Sequence, residues 1–144
     1  MKIAACIKRV PTTDAQVKIG ADGKSLDTAG LQYMPSFYDE IAVEEAIKSK
    51  EKLGGDVTVI TIGPADSSKE LREFMARGAD AGVILKDDRW HARDARAVAK
   101  ILAAQVQKLG AQVVFTGKIA TDRDNAAVGA MLGDAGANVM AGGA

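Results

Sequence analysis

The sequence has a single cysteine and a single histidine, no excess of charge of either sign and no long apolar run, and each scarcity removes a class of function. One cysteine, Cys6, cannot build an internal disulfide framework or a cysteine-rich metal site, which points to a reducing compartment over secretion. One histidine, His91, stands beside Trp90 in the polar connection "DDRWHARD" with no partner at ligand or triad spacing, so it reads as a surface residue and no metal site is expected. Lys plus Arg and Asp plus Glu both number 19, leaving zero formal charge and no global field to hold a nucleic acid backbone or an anionic membrane. No apolar stretch reaches the about 20 residues that a bilayer requires, and the opening "MKIAACIKRV" is charged too early for a signal peptide. The expectation is a cytoplasmic protein with no nucleic-acid partner and no membrane insertion.

What is present is ordinary for a globular chain. Its 144 residues are 47% hydrophobic and 26% charged. That length suits one domain able to bury about two thirds of its unfolded surface. "KIAACIKRV" is a buried-strand candidate ended by Pro11, and residues 11–38 form a long loop or small hairpin with a weakly extended "AQVKIG". Asp39 opens a helix with acids in its first turns, lysines in its last, a face of Val43, Ala46, Ile47 and Leu53, and a glycine stop. "DVTVITIG" is strand two, "SSKELREFMARGA" helix two and "AGVILKDD" strand three. "DARAVAKILAAQVQKLG" is a helix whose Val98, Ile101, Leu102, Gln105, Val106 and Leu109 keep the i, i+3, i+4 spacing. "QVVFTG" is strand four, and "DRDNAAVGAMLGDAG" a fourth helix that begins with acids.

Strands that alternate with helices and read as continuous Val/Ile runs indicate an α/β fold, a three-layer parallel sheet with helices on both faces. Ligands in such sheets bind beyond the carboxyl ends of the strands, where the strand order reverses, and strands one and four flank that crevice. "KRVP" and "TGKIATDRDNAAVGAML" lie just past those two strands. A helix N-terminus at residues 122–129 would offer free amides to a phosphate, with Lys118 and Arg123 offsetting Asp122 and Asp124, and with Gly117 and Gly129 allowing close approach. The competing reading makes Thr121 or Asp122 an N-cap and Asp124 a partner of the helix dipole. Cys6 reads as a small core residue before it reads as a nucleophile. No catalytic base or nucleophile emerges, which favours a nucleotide or cofactor carrier over a hydrolase.

Several segments go beyond generic patterning: "CIKRVP", "DTAGLQYMPSFYDEIAVEEAIKSKEKLGGDVTVITIGP", "ELREFMARGAD" and "TGKIATDRDNAAVGAML". Together, and in register over residues 1–132, they resemble the β subunit of electron-transfer flavoprotein. The resemblance implies an adenine-nucleotide-binding fold of the HUP or Rossmann-like type, and a heterodimer with an α subunit that holds most of the FAD. It also implies one AMP in the β subunit, replaced by a second FAD in bifurcating relatives. The implied activity is electron carriage from acyl-CoA or other dehydrogenases to a quinone reductase or similar acceptor, with no catalytic residue in this chain.

Carried over by position, the nucleotide site would use Cys6 at the end of strand one, Ser36, Phe37, Tyr38 and Asp39 before helix one, and Ile62 at the end of strand two. It would also use Ile119, Ala120, Thr121, Asp122, Arg123, Asp124, Asn125, Ala126, Ala127, Val128, Gly129 and Ala130 past strand four. Many family members have Asn-Pro at positions 36 and 37, so the adenine contacts differ in detail. The family's β subunit is longer, and residues 133–144, "GDAGANVMAGGA", are small with no strand character. The expectation is therefore a domain over 1–132, an atypical tail over 133–144, strand order 3-2-1-4, and a missing fifth strand. The alternative is a stand-alone nucleotide-binding module of universal-stress-protein type, whose Gly-x-x-Gly loop is not found here.

Overall fold

The computed structural model describes residues 1–141. Its centre is β1 (Lys2–Ile7), whose residues alternate between two apolar clusters. Ile3, Ala5 and Ile7 face α1 (Phe37–Leu53), while Ala4 and Cys6 face the opposite layer. Before α1 the chain makes two ribbons. β2 (Arg9–Pro11) pairs with β5 (Tyr33–Pro35), and β3 (Lys18–Ile19) pairs with β4 (Leu26–Asp27), both antiparallel. Strand one thus ends at Ile7, and Pro11 belongs to a separate ribbon, where an edge position tolerates its missing donor. The long segment between strand one and helix one is two small hairpins.

After α1, β6 (Asp56–Gly63), α2 (Ser68–Arg77), β7 (Ala81–Lys86), α3 (Ala95–Leu109) and β8 (Val113–Thr116) alternate as the hydrophobic periods indicate. α1 and α2 cover one face through Ala42, Val43, Ala46, Ile47, Leu71 and Phe74; α3 covers the other through Leu102, Ala103 and Val106. Asp94 caps α3, its carboxylate accepting from the Ala97 amide at 2.7 Å. Leu53 does not join the buried face of α1: it is 66% exposed, in the last turn before the Gly54 stop.

Two differences from the sequence reading bear on function. α4 (Val128–Asp134) begins later than the acids of "DRDN" suggest, because Asp124 and Ala126 are left-handed, at φ 57° and 49°. The amides of Arg123 and Asp124 instead turn back onto the Ala120 carbonyl at 3.3 and 2.9 Å. Asp and Asn tolerate such turns better than helix interiors do. Asp124 is therefore neither a cap nor a first-turn acid of α4, and Ala127 holds the cap position with no side-chain bond.

The second difference is the fifth strand, which is present. β9 (Val139–Ala141) pairs parallel to β8 with Val139 opposite Val114, giving the sheet order β7-β6-β1-β8-β9. The expected 3-2-1-4 order of the first four strands holds, and the edge of β8 is covered. Three residues carry too little pattern to announce a strand. What selects them is the waiting edge of β8: the Val114 amide bonds the Asn138 carbonyl at 2.9 Å, and the Asn138 side chain bonds the Gln112 carbonyl at 3.1 Å. The last three residues of the 133–144 tail lie outside the described residues.

If β9 protects that edge, ending the chain at Gly136 uncovers a parallel template. The shortened chain is expected to self-associate in light scattering where the 144-residue chain stays monodisperse. An unchanged mass distribution would count against the protective role.

Candidate functional site

The carboxyl ends of β1 and β8 are neighbours in the sheet, although β1 continues toward β6 and β8 arrives from β7 by way of α3. This is the reversal of strand order at which an open α/β sheet leaves a crevice. One side chain spans it. The Asp39 carboxylate, in the first turn of α1, accepts the Lys8 amide at 2.8 Å and the Gly117 amide at 3.1 Å. It thereby continues the β1–β8 ladder past the point where the strands part.

Asp39 is 7% exposed. Burial raises its pKa to about 7, against the two amide hydrogen bonds and the nearby Lys8 charge, which favour the ionised form; Asp122 adds to the rise. Beneath it, Cys6 is buried within the apolar cluster under α3, and burial followed by the Asp39 charge pushes its thiol up to about 12. A thiol held protonated in this way is a core residue and not a nucleophile.

The rim is tied together by side chains from several elements. Lys8 Nζ pairs with Asp122 at 2.6 Å. The Thr121 amide donates to Ser36 Oγ at 3.3 Å, and the Ser36 amide to the Lys8 carbonyl at 2.9 Å. The Arg123 guanidinium donates to the carbonyl of His91, whose ring stands edge-on to Trp90. Ser36 is fully buried as the N-cap of α1, whereas Phe37 is 59% exposed and meets Tyr38 edge to face. Ile62 is buried near the end of β6 on the α3 side. Among the residues singled out from the sequence, Ser36, Asp39, Thr121 and Asp122 are thus joined directly or through Lys8 and Gly117; Cys6 and Ile62 lie in the sheet below.

The loop 117–127 and the start of α4 carry the open donors. Among the described residues, the amides of residues 125–130 have no protein acceptor. Left-handed Ala126 followed by right-handed Ala127, at φ −113° and ψ −33°, turns neighbouring amides toward one side, the arrangement that makes a concave anion receptor. Beside the loop, between α4 and β9, opens a groove of about 710 Å³ lined by Lys118, Ala126, Gly129, Ala130, Val139 and Met140 among others.

The two loop glycines serve packing. A Cβ on Gly117 would overlap the Asp39 carboxylate and stand 2.9 Å from the Asp39 backbone nitrogen. One on Gly129 would stand 2.8 Å from Thr116 Oγ1 and 3.1 Å from the Ala141 Cβ. Close approach of a ligand is not needed to explain either. Lys8, as the partner of Asp122, and Arg9 are the rim residues that the sequence does not single out, and the only signal for them is the position of "KRVP" past strand one. Arg9 is buried, with ion pairs to Asp66 at 2.8 Å and Glu70 at 3.4 Å, and its guanidinium lies 4.4 Å from the Tyr33 ring centre.

Residues 25–138 match the electron transfer flavoprotein domain. The chain belongs to the electron transfer flavoprotein family. It is 39% identical over 134 residues to an electron transfer flavoprotein subunit beta of Thermoanaerobacterium thermosaccharolyticum, covering 93% of this chain and 51% of that one. It is 35% identical over 137 residues to the acryloyl-CoA reductase electron transfer subunit gamma of Anaerotignum propionicum, covering 93% and 51%. Its identity to protein FixA of Azorhizobium caulinodans is 36% over 134 residues, covering 90% and 47%. The chain therefore spans about half the length of these relatives. Its likeness within the electron transfer flavoprotein family is to the β-subunit type. No helix among the described residues is long and apolar enough to cross a membrane.

Two predictions follow from the bridge. Gly117→Ala should destabilise the fold by about 1–3 kcal/mol or more, because the methyl overlaps a buried carboxylate and a helix backbone; a denaturation midpoint measures it. The pKa of Asp39 rises from 3.8 unfolded to about 7 folded, so between those values the folded chain keeps a proton that the unfolded chain has released. The contribution of this group to stability is expected to grow as pH falls through 7 and to be complete below about pH 4. In Asp39→Asn that part of the pH dependence is expected to vanish from denaturant unfolding curves.

Proposed function

We propose that this chain is the nucleotide-binding portion of a β-type electron-transfer flavoprotein subunit and that it holds AMP at the β1–β8 crevice. The observation that carries this reading is the run of open amides at 125–130, beside the strand-order reversal and with no catalytic side chain among them. A phosphate needs donors and a tolerable local charge. The amides supply the donors, and Asp122, whose charge would repel a phosphate, is engaged by Lys8 at 2.6 Å. The α4 helix has only seven residues, so the loop amides, more than a helix dipole, carry the recognition. Ser36, Phe37 and Tyr38 on one side and Ile119, Ala120 and Thr121 on the other would frame the base and ribose. Cys6, Asp39 and Ile62 would form the floor, and Arg123, Asp124 and residues 125–130 the phosphate side.

In this reading an α subunit holds most of the FAD, which supplies the redox chemistry when bound. The residues of this chain bind, position and exclude water; none is assigned an electron-transfer step. Dehydrogenases as donors and a quinone reductase or similar acceptor complete the pathway in this reading, which is set in the cytoplasm. A second FAD in place of AMP belongs to the same reading, since both present an adenosine phosphate to the loop.

Denaturing the purified protein and identifying the released nucleotide by mass spectrometry tests this directly, with AMP expected. Calorimetry with AMP and with magnesium-ATP gives the same decision in solution. AMP is expected to bind at least tenfold more tightly, because the loop offers no lysine-threonine pair for a β,γ-phosphate and its metal. Tighter, magnesium-dependent ATP binding would favour a stress-protein-type module, and the absence of any nucleotide binding would end the proposal.

A further inference from the structure

The loop 117–127 is fastened to the rest of the molecule at few points, and its first is Gly117, where the chain leaves β8. The Gly117 amide has one acceptor among the described residues, the Asp39 carboxylate at 3.1 Å. The next tie to α1, from the Thr121 amide to Ser36 Oγ, is longer at 3.3 Å. Lys8, the other amide on Asp39, is secured independently, because its carbonyl accepts the Ser36 amide at 2.9 Å. The two amides on Asp39 are therefore unequal: losing the carboxylate would leave the β1 end in place and free the β8 exit.

We propose that Asp39 is a positioning residue for the nucleotide loop, a latch that holds Gly117 while its carboxylate is charged and releases it on taking up a proton. An ionised carboxylate is acceptor-only and can take an amide on each oxygen. Once protonated, one oxygen becomes a hydroxyl, a much poorer acceptor that must also turn its hydrogen away from the N–H donor, so one of the two bonds is weakened. The weaker and less supported bond is the one to Gly117. The charged and titratable groups that reach the carboxyl are few. Lys8 beyond β1 favours the charged form, Asp122 in the loop after β8 opposes it, and Cys6 on β1 lies beneath as a neutral thiol. On its own helix, Glu40 is paired with Arg77 at 3.2 Å. Burial against these groups sets the balance point at about 7, so the latch works across neutrality.

Protonation thus has two effects of opposite sign: it relieves the burial of a charge, which strengthens the fold, and it slackens the loop, which weakens the site. A purely structural acid would show the first effect alone. The consequence for nucleotide retention rests on the function proposed above; the latch itself does not.

Amide resonances of the ligand-free 144-residue chain, followed by NMR from mildly acid to mildly alkaline pH, test it. The Gly117 and Lys8 signals are expected to titrate with one shared midpoint near neutrality. Gly117 hydrogen exchange, corrected for its intrinsic pH dependence, should quicken about tenfold on the acid side. In Asp39→Asn, where an NH2 donor replaces one of the two oxygens that accept the Lys8 and Gly117 amides, Gly117 should exchange fast at every pH and the shared titration should disappear. Signals that stay fixed with pH in the wild-type chain, or that titrate unchanged in the variant, overturn the latch. Should the variant fail to fold, the carboxyl carbon shift of Asp39 in the wild-type chain decides whether the group titrates with the two amides. Added AMP provides the separate arm: a titrating Gly117 in a chain that does not bind AMP leaves the latch standing and removes the nucleotide reading.

Discussion

The structure depends on one carboxylate. Where β1 and β8 part at the reversal of strand order, backbone pairing runs out and two amides are left facing a crevice; Asp39 answers both. Much else follows from accommodating it. The residue opposite must be glycine, because a side chain at 117 would stand where the carboxylate and the start of α1 already are. The first turn of α1 must come down onto the sheet, which brings the Ser36 hydroxyl beneath the loop and the Lys8 side chain across to Asp122. A charge so enclosed would be untenable without donors, and the two amides with the nearby ammonium keep it within reach of the ionised state.

A second buried charge organises the opposite side of the rim. Arg9 reaches from the β2–β5 ribbon to Asp66, Ser67 and Glu70 at the head of α2, with Tyr33 against its guanidinium. Glu70 is 3% exposed and ion-paired at 3.4 Å, yet its carboxylate oxygens and Arg9 Nε have no hydrogen bond among the described residues. A network satisfied only in part adds little net stability, since desolvation of both partners offsets their attraction. Its effect is geometric: it fixes where the ribbon sits relative to β6 and α2, and through Tyr33 and Trp90 it reaches the connection that receives Arg123.

What the sequence discloses and what it conceals divide along one physical line. Runs such as "DVTVITIG" and the stripe of α3 declare themselves, because burial on one face or two imposes a period that short stretches of chain already carry. The order of the first four strands and the place of the crevice follow from that alternation. The late start of α4 does not, because Arg123 and Asp124 turn back onto the Ala120 carbonyl and Asp122 is drawn to Lys8, more than a hundred residues away, and propensity yields to those contacts. β9 is invisible for the same reason, being selected by the edge it meets. Asp39 is legible as an acid in a first helical turn, but nothing local announces its burial. The glycines of the loop are conspicuous in the sequence, yet their cause is packing between distant segments.

The central strand of the sheet is made before the strands that flank it. The β1 residues Ile3–Ile7 are almost wholly buried, and the neighbours that cover them come from far along the chain: Val57 stands beside Ile3 on one side and Val113 on the other. During synthesis, which proceeds from the N-terminus, this apolar segment has no sheet partner until β6 emerges, and one free edge until β8 follows. Loop closure over such separations must precede the pairing that rewards it, so assembly of the sheet centre is intrinsically slow. The architecture that places a crevice between β1 and β8 thereby makes the crevice the last part of the sheet centre to close, and a chain interrupted before Val113 would present β1 as a sticky, half-paired strand.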